Sequence, residues 1–277
     1  MVLLWPAALA GLVAVGATLA IERLGGRLGG LLATLPTTVV PASLGIWAQT
    51  SSVGDFQDAM AGIPAGMLLN AGFLWLWGVV PPRLPARSLR ARLTLMSLVS
   101  LTCWLVGALA LVVVQERLAA AGLLWSVGVG LAVFTPLLGA LATLHPRPAP
   151  SGSKRVGPVT LAARGVFAAV AIGVAVWLTE VGGPLAAAVA SVFPAIFLTT
   201  MIAVWLAQGE AVQAGAVGPM MLGSGAVSAH ALLAGLAIPA LGPALGTPLA
   251  WLGAVCLVTL PGFLWLQRRR EASTSAS

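Results

Sequence analysis

Apolar residues run along this chain in long blocks that are separated by short polar connectors. A helix crosses the hydrocarbon core of a bilayer in about 20 predominantly apolar residues. Nine blocks reach that length, at residues 2–21, 29–49, 60–80, 93–114, 122–144, 161–179, 184–206, 214–238 and 248–266. The pattern therefore predicts an all-α polytopic membrane protein with about nine transmembrane helices.

The first block has the hydropathy of a span but lacks the layout of a cleaved signal peptide. A signal peptide begins with a basic segment, whereas the first basic residue of this chain is Arg23. We therefore expect a retained span whose N-terminus lies outside the cell.

The composition excludes several classes of protein. Charged residues make up 8% of the 277 positions and hydrophobic residues 59%, and the mean hydropathy is +1.03. Soluble globular proteins carry about 25% charged residues. These values exclude a soluble enzyme, a nucleic-acid-binding domain and a disordered protein, since 14 basic residues scattered over short connectors cannot build a basic surface.

The basic residues predict the orientation of the spans, because cytoplasmic connectors of membrane proteins are enriched in Lys and Arg. With nine spans, 13 of the 14 basic residues fall on one side and only Arg117 falls on the other. The 13 are Arg23, Arg27, Arg83, Arg87, Arg90, Arg92, Arg147, Lys154, Arg155, Arg164, Arg268, Arg269 and Arg270. We therefore expect a protein of the plasma (inner) membrane with its C-terminus in the cytoplasm.

Two parts of the chain resemble each other in the same order. Gly25-Gly26 leads into the second block and Gly182-Gly183 into the seventh. Further pairs follow at offsets that drift from 157–159 to 153: Pro36 with Pro194, Trp47-Ala48-Gln49 with Trp205-Leu206-Ala207-Gln208, and Cys103 with Cys256. Because these pairs follow the same order in both parts of the chain, they predict an internal duplication.

The duplication divides the chain into four parts. Residues 1–114 hold spans one to four, residues 115–160 a linker helix and a basic cytoplasmic loop, residues 161–267 spans six to nine, and residues 268–277 a cytoplasmic tail. An odd number of crossings separates the two four-helix copies, so they are expected to be inverted. Inverted repeats are typical of transporters, which bind substrate near the membrane midplane at the repeat interface, although duplication also occurs in channels and membrane enzymes.

Interrupted helices mark the predicted binding site. An interior proline releases a backbone carbonyl, which is tolerated in lipid only where protein or a water-filled cavity satisfies it. Spans two and seven carry such prolines beside hydroxyl side chains, and spans three and eight add an amide, a hydroxyl and an imidazole. The predicted substrate-binding residues are Thr34, Pro36, Thr37, Thr38, Pro41, Asn70, Ser191, Pro194, Thr199, Ser224 and His230. The alternative is a plain proline kink with hydroxyls that bond within their own helices.

The acidic residues fall outside the middle of every predicted span. Asp55 and Asp58 are expected in an outer loop, and span ends carry a predicted vestibule made of Glu22, Glu180, Glu210, Gln49 and Gln208. Intramembrane carboxylates typically form proton relays or cation sites, so we expect a neutral deep site. A facilitator and a Na⁺-coupled carrier both remain open. The chain has no CxxC or HxxxH spacing, so we expect no metal and no cofactor.

These patterns favour a transporter of a small solute or ion that works by alternating access between spans two and seven. The alternative is a non-catalytic assembly subunit or scaffold that packs through small-residue helix faces, which 33 glycines would also suit. An enzyme is disfavoured, because no DxxxD, HExxH or GxSxG motif occurs. The expected partners are the solute or ion, the lipid bilayer and, in a homo-oligomer, further copies of the chain, but no nucleic acid.

Overall fold

The computed structural model describes residues 35–37, 39–85, 88–144 and 157–275, together with residues 7–9, 11, 12 and 15. About 90% of these described residues are helical, and none of them forms a strand. The predicted all-α class is therefore confirmed.

The helices of the described chain are numbered in order. Their bounds are α1 Val39–Gln49, α2 Val53–Val79, α3 Leu89–Ala120, α4 Leu124–Ala142, α5 Pro158–Val181, α6 Gly183–Ser191, α7 Ala195–Gln208, α8 Glu210–Ala254 and α9 Leu260–Ser275. A short 3₁₀ turn, Pro81–Arg83, follows α2, and a π-helical turn, Val255–Thr259, joins α8 to α9.

Six helical stretches in this part of the chain are long and apolar enough to cross a membrane, which indicates an integral membrane protein. They are Val53–Val79, Leu89–Ala120, Leu124–Ala142, Leu161–Leu178, Gly183–Leu206 and Glu210–Arg269. The sequence predicts nine spans. The first of these lies largely outside the described residues, α1 has only 11 residues, and the last two share the 60-residue stretch Glu210–Arg269.

The long stretch Glu210–Arg269 reverses direction at Gly242. The φ of Gly242 is 75°, a left-handed conformation that residues with a side chain rarely adopt. Beyond this turn Gly246 lies against Ala237, and Gly253 lies against Leu233. The two legs of α8, residues 210–241 and 243–254, therefore pack antiparallel to each other.

Two short non-helical stretches, called interruptions below, lie next to a proline. Helix α6 ends at Ser191 and α7 begins at Ala195, so that residues 192–194 form a break. A bend and turn at residues 35–37, which include Pro36, precede α1. Both interruptions occur in the blocks where the sequence predicts proline-broken helices.

The centre of the molecule is built from α2, α4 and the first leg of α8. Glycines allow these helices to approach closely, a common device where lipid gives no hydrophobic drive for helix association. Gly128 of α4 lies against the Ala61 carbonyl of α2, and Gly139 of α4 lies against Leu222 of α8. In the most apolar 18-residue stretch of α3, only 17% is buried, so most of its leucines and valines are left to face lipid.

The expectation that Asp55 and Asp58 lie in a loop is wrong, because α2 begins at Val53. Ser52 caps the helix, and its Oγ accepts a hydrogen bond of 3.1 Å from the Asp55 N–H. Serine is a preferred N-cap residue, and a carboxylate in the first turn is favourable at the positive end of the helix dipole.

The glycine contact at the centre of the molecule can be tested with Gly139→Ala. A Cβ at position 139 would lie 2.1 Å from the backbone nitrogen of Leu222, so α4 and α8 must separate. We expect a loss of about 1–3 kcal/mol, measured as a lower apparent Tm in detergent micelles.

Gly130→Ala is the matched control on the same helix. No atom lies within 4 Å of a Cβ at position 130, and alanine is the better helix former by up to about 1 kcal/mol. The Tm should therefore stay the same or rise. Equal losses of Tm in both variants would contradict the proposed packing.

Candidate functional site

A cavity lies between the two helix interruptions. It offers about 60 Å³ to the centres of water-sized spheres, whereas one water needs about 10–15 Å³. Its described walls are Leu35 and Val39 beside the first interruption, residues 191–197 of the second, Met67 and Asn70 of α2, Val227 of α8, and Ala168, Ala171 and Ile172 of α5. The two predicted breaks therefore contribute to one cavity.

Two carbonyls near the end of α6 are satisfied locally where the helix stops. The Ser191 Oγ donates to the Ala188 carbonyl at 2.7 Å, and the Phe193 N–H donates to the Ala190 carbonyl at 3.1 Å. Pro194 has no N–H, so the Ala190 carbonyl would otherwise lack its helical donor. The break is thus a hydrogen-bonded structure of fixed geometry.

Asn70 satisfies the carbonyl at the centre of the break. Its Nδ2 donates to the Val192 carbonyl at 2.7 Å, and its Oδ1 accepts a hydrogen bond of 2.8 Å from the Trp104 Nε1. The side chain is 2% exposed. Trp104 in turn packs edge-on against Phe193, with ring centroids 5.3 Å apart. Asn70 therefore ties α2 and α3 to the break between α6 and α7.

A second amide bond joins the start of α2 to the end of the first leg of α8. The Gln57 Nε2 donates to the Gly235 carbonyl at 3.3 Å. Pro239 lies four residues after Gly235 and supplies no N–H, so this carbonyl has lost its helical donor. The amide replaces that donor from the neighbouring helix.

The opposite end of the same helix pair carries the reverse arrangement. The Gln213 Nε2, near the start of α8, donates to the Trp77 carbonyl of α2 at 3.1 Å. Pro81 lies four residues after Trp77, so this carbonyl has also lost its helical donor. The α2–α8 pair is therefore held by two reciprocal amide bonds, one near each end.

The predicted binding residues divide into several groups in the structure. Asn70, Ser191 and Pro194 line the cavity. Pro36, Thr37 and Pro41 lie close to it in sequence, next to the lining residues Leu35 and Val39. The hydroxyls of Thr199 and Ser224 bond within their own helices, to the carbonyls of Ala195 and Met221. Thr34 and Thr38 lie outside the described residues, and the role of the whole set in binding stays a prediction.

His230 is fully buried, and neither of its ring nitrogens has a hydrogen-bond partner in the described chain. It does not line the described cavity.

Thr259 has an unpartnered buried hydroxyl as well. The buried positions of the last helical leg run 250, 254, 259 and 262, so the π turn adds one residue and brings Thr259 onto the buried face.

The predicted vestibule contains one ion pair. The Arg92 Nη2 lies 2.6 Å from the Glu210 Oε2 and also donates to the Pro81 carbonyl at 2.8 Å. The guanidinium lies over the Trp205 ring, 5.3 Å from its centroid. Of the remaining vestibule residues, Glu180 is exposed at the end of α5 and Gln49 is half-buried at the end of α1. Glu22 and the Gln208 side chain lie outside the described part of the chain.

Sequence reasoning missed Trp104, Phe193 and Arg92 as members of these arrangements. A signal for Trp104 exists, since tryptophan in membrane proteins concentrates at the interfaces and Trp104 lies near the middle of predicted span 93–114. In the described part of the chain no three His, Cys, Asp or Glu side chains come together as metal ligands. The cavity is thus characterised by amide, hydroxyl, backbone and apolar groups.

Comparisons of the chain with protein-family models, curated proteins and solved structures find no match.

The bonds of Asn70 predict a coupled loss of stability in a double-mutant cycle. Asn70→Leu leaves the Val192 carbonyl and the Trp104 indole N–H without partners, each at a cost of about 1–3 kcal/mol. Trp104→Phe removes only the second bond. We expect a coupling of more than about 0.5 kcal/mol between the two variants, measured by denaturant titration in micelles.

Trp75→Phe serves as the control for the aromatic substitution, because Trp75 lies on α2 and is 56% exposed. It should combine additively with Asn70→Leu. Additive losses for Trp104→Phe as well would show that the bond between Asn70 and Trp104 contributes nothing to stability.

Proposed function

We propose that the protein is a transporter of a small solute that works by alternating access, with its binding site in the cavity between the two helix interruptions. The observation that carries this proposal is that the interruptions at Pro36 and Pro194, 158 residues apart in sequence, border the same cavity. Discontinuous helices whose backbone groups face a midplane cavity are a recurrent design of secondary transporters.

The reciprocal amide bonds support an inverted repeat. Gln57 and Gln213 are 156 residues apart, and their acceptors Trp77 and Gly235 are 158 residues apart. The two glutamines thus occupy matching positions in the two helices, and so do their two acceptors, to within two residues. Two equivalent helices related by a twofold axis in the membrane plane would form this exchange.

The same proposal accounts for nine spans. The reversal at Gly242 allows Glu210–Arg269 to cross twice, and α1 would complete a span with the residues before it. Gly11 packs against Gly165 of α5, as expected for equivalent first and sixth spans in contact. With the N-terminus outside, the Gln57 end of the α2–α8 pair is the outer end and the Gln213 end is the inner end.

The scaffold alternative would use small-residue helix faces to hold other proteins. Gly128, Gly139 and Gly225 are already covered from within the chain, by Ala61, Leu222 and Pro136. This internal use favours the transporter, and nothing in the described site favours a catalytic function.

The two amide bonds predict opposite effects on access to the cavity. Gln57→Leu should loosen the outer end, and Gln213→Leu should loosen the inner end. The readout is the labelling of Val227→Cys by a membrane-impermeant maleimide added to either side of oriented vesicles, with Cys103 and Cys256 replaced by serine. We expect at least a threefold rise from the outside in the first variant and from the inside in the second.

Gln267→Leu is the control, because Gln267 is exposed near the end of the chain, and it should leave both labelling rates unchanged. A rise on the same side in both amide variants, or no change in either, would contradict alternating access across the α2–α8 pair.

A further inference from the structure

We propose that the cavity selects a small uncharged molecule with a hydrogen-bond acceptor at one end. This inference rests on the proposed transport function and adds the chemical class of the solute. It follows from three features of the described walls, which are their lack of charge, the pattern of free hydrogen-bonding groups, and the size of the space.

No ionisable side chain belongs to the described cavity wall, where Asn70 and Ser191 are the polar side chains. The ion pair of Arg92 and Glu210 contacts Pro81, which follows Asn70 by 11 residues along the chain. At about 1.5 Å per helical residue, this pair lies roughly 15 Å from Asn70. An ion in the cavity would therefore lose its hydration without a nearby countercharge, at a cost of several kcal/mol.

The two helix ends at the break also oppose each other electrostatically. The C-terminus of α6 carries a partial negative charge and the N-terminus of α7 a partial positive charge, each equivalent to about half an elementary charge. Because the two ends are separated only by residues 192–194, an ion in the cavity is attracted by one end and repelled by the other. The break therefore offers hydrogen bonds without a net charge.

The free backbone groups at the break are two donors and one acceptor, the Ser191 carbonyl, which has no partner among the described residues. The carbonyls of Ala188, Ala190 and Val192 already accept hydrogen bonds from the chain. The backbone N–H groups of Ile196 and Phe197, in the first turn of α7, have no partner among the described residues, and both residues line the cavity. A solute with a carbonyl or similar oxygen would satisfy them, while Phe193 and Val227 would contact its apolar part.

The described space suits a solute of a few heavy atoms. With about 60 Å³ open to the centres of water-sized spheres, the cavity holds about four to six atoms of water size. Acetamide and urea have this size, whereas glucose exceeds it. Acetate and guanidinium match the first two in shape but carry a charge.

The experiment compares these isosteric pairs in proteoliposomes that contain the full chain. We expect flux of acetamide and urea at least tenfold above that in protein-free liposomes, with acetate at pH 8, guanidinium and glucose at the protein-free level. Flux of acetate or guanidinium equal to that of the uncharged isostere would overturn the proposed class while leaving transport intact.

A second readout does not depend on transport. Acetamide at high concentration should slow labelling of Val227→Cys by iodoacetamide, an uncharged reagent of similar size, at least threefold, and acetate at the same concentration should not. Protection without flux would retain the solute class and reject the transporter. Neither protection nor flux, or protection by acetate instead, would overturn the inference.

Two alanine-to-leucine variants, one in the cavity wall and one outside it, form a matched pair. Ala171→Leu places a larger side chain in the wall, and we expect it to lower acetamide flux and protection at least fivefold. Ala162→Leu makes the same change on the exposed side of α5 and should leave both unchanged. Equal effects of the two variants would contradict the assignment of this cavity as the binding site.

Discussion

A backbone carbonyl that has lost its helical donor inside a membrane finds no water to bond with, and the packing of this protein depends on side-chain amides that supply the donor instead. Asn70 donates to a carbonyl of the helix break, and Gln57 and Gln213 each donate to a carbonyl of another helix whose donor is replaced by a proline. A buried carbonyl left unpartnered costs about 1–3 kcal/mol. The bond that removes this cost also crosses from one helix to the next, so it fixes how the helices pack.

The same constraint determines what the break at residues 192–194 can offer to a solute. The carbonyls of Ala188, Ala190 and Val192 are bonded by Ser191, Phe193 and Asn70, whereas the Ser191 carbonyl and the first amides of α7 have no partner among the described residues. With one free acceptor beside two free donors and no ionisable side chain in the described wall, the break offers a full countercharge to neither a cation nor an anion. The neutral character of the proposed site is thus a consequence of how the broken helix is stabilised.

The sequence was sufficient to predict the helical class and the two interruptions, because apolar length and proline act locally along the chain. Pro36 and Pro194 were identified on that basis, and both lie at interruptions. The partners of Asn70 were not predictable, and its side chain bonds to the Trp104 indole N–H and the Val192 carbonyl. Such partners depend on helix rotation and register, which a hydropathy pattern does not specify.

The reciprocal amide bonds join the α2–α8 pair near both ends, but the Gln213 end has an additional ion pair. Arg92 and Glu210 are 24% and 27% exposed, and a partly exposed pair contributes about 0–1 kcal/mol. A difference of 1 kcal/mol corresponds to about a fivefold ratio of populations. In the proposed transporter the ion pair would therefore favour closure of the inner end only modestly, and both access states would stay populated, as a cycle of alternating access requires.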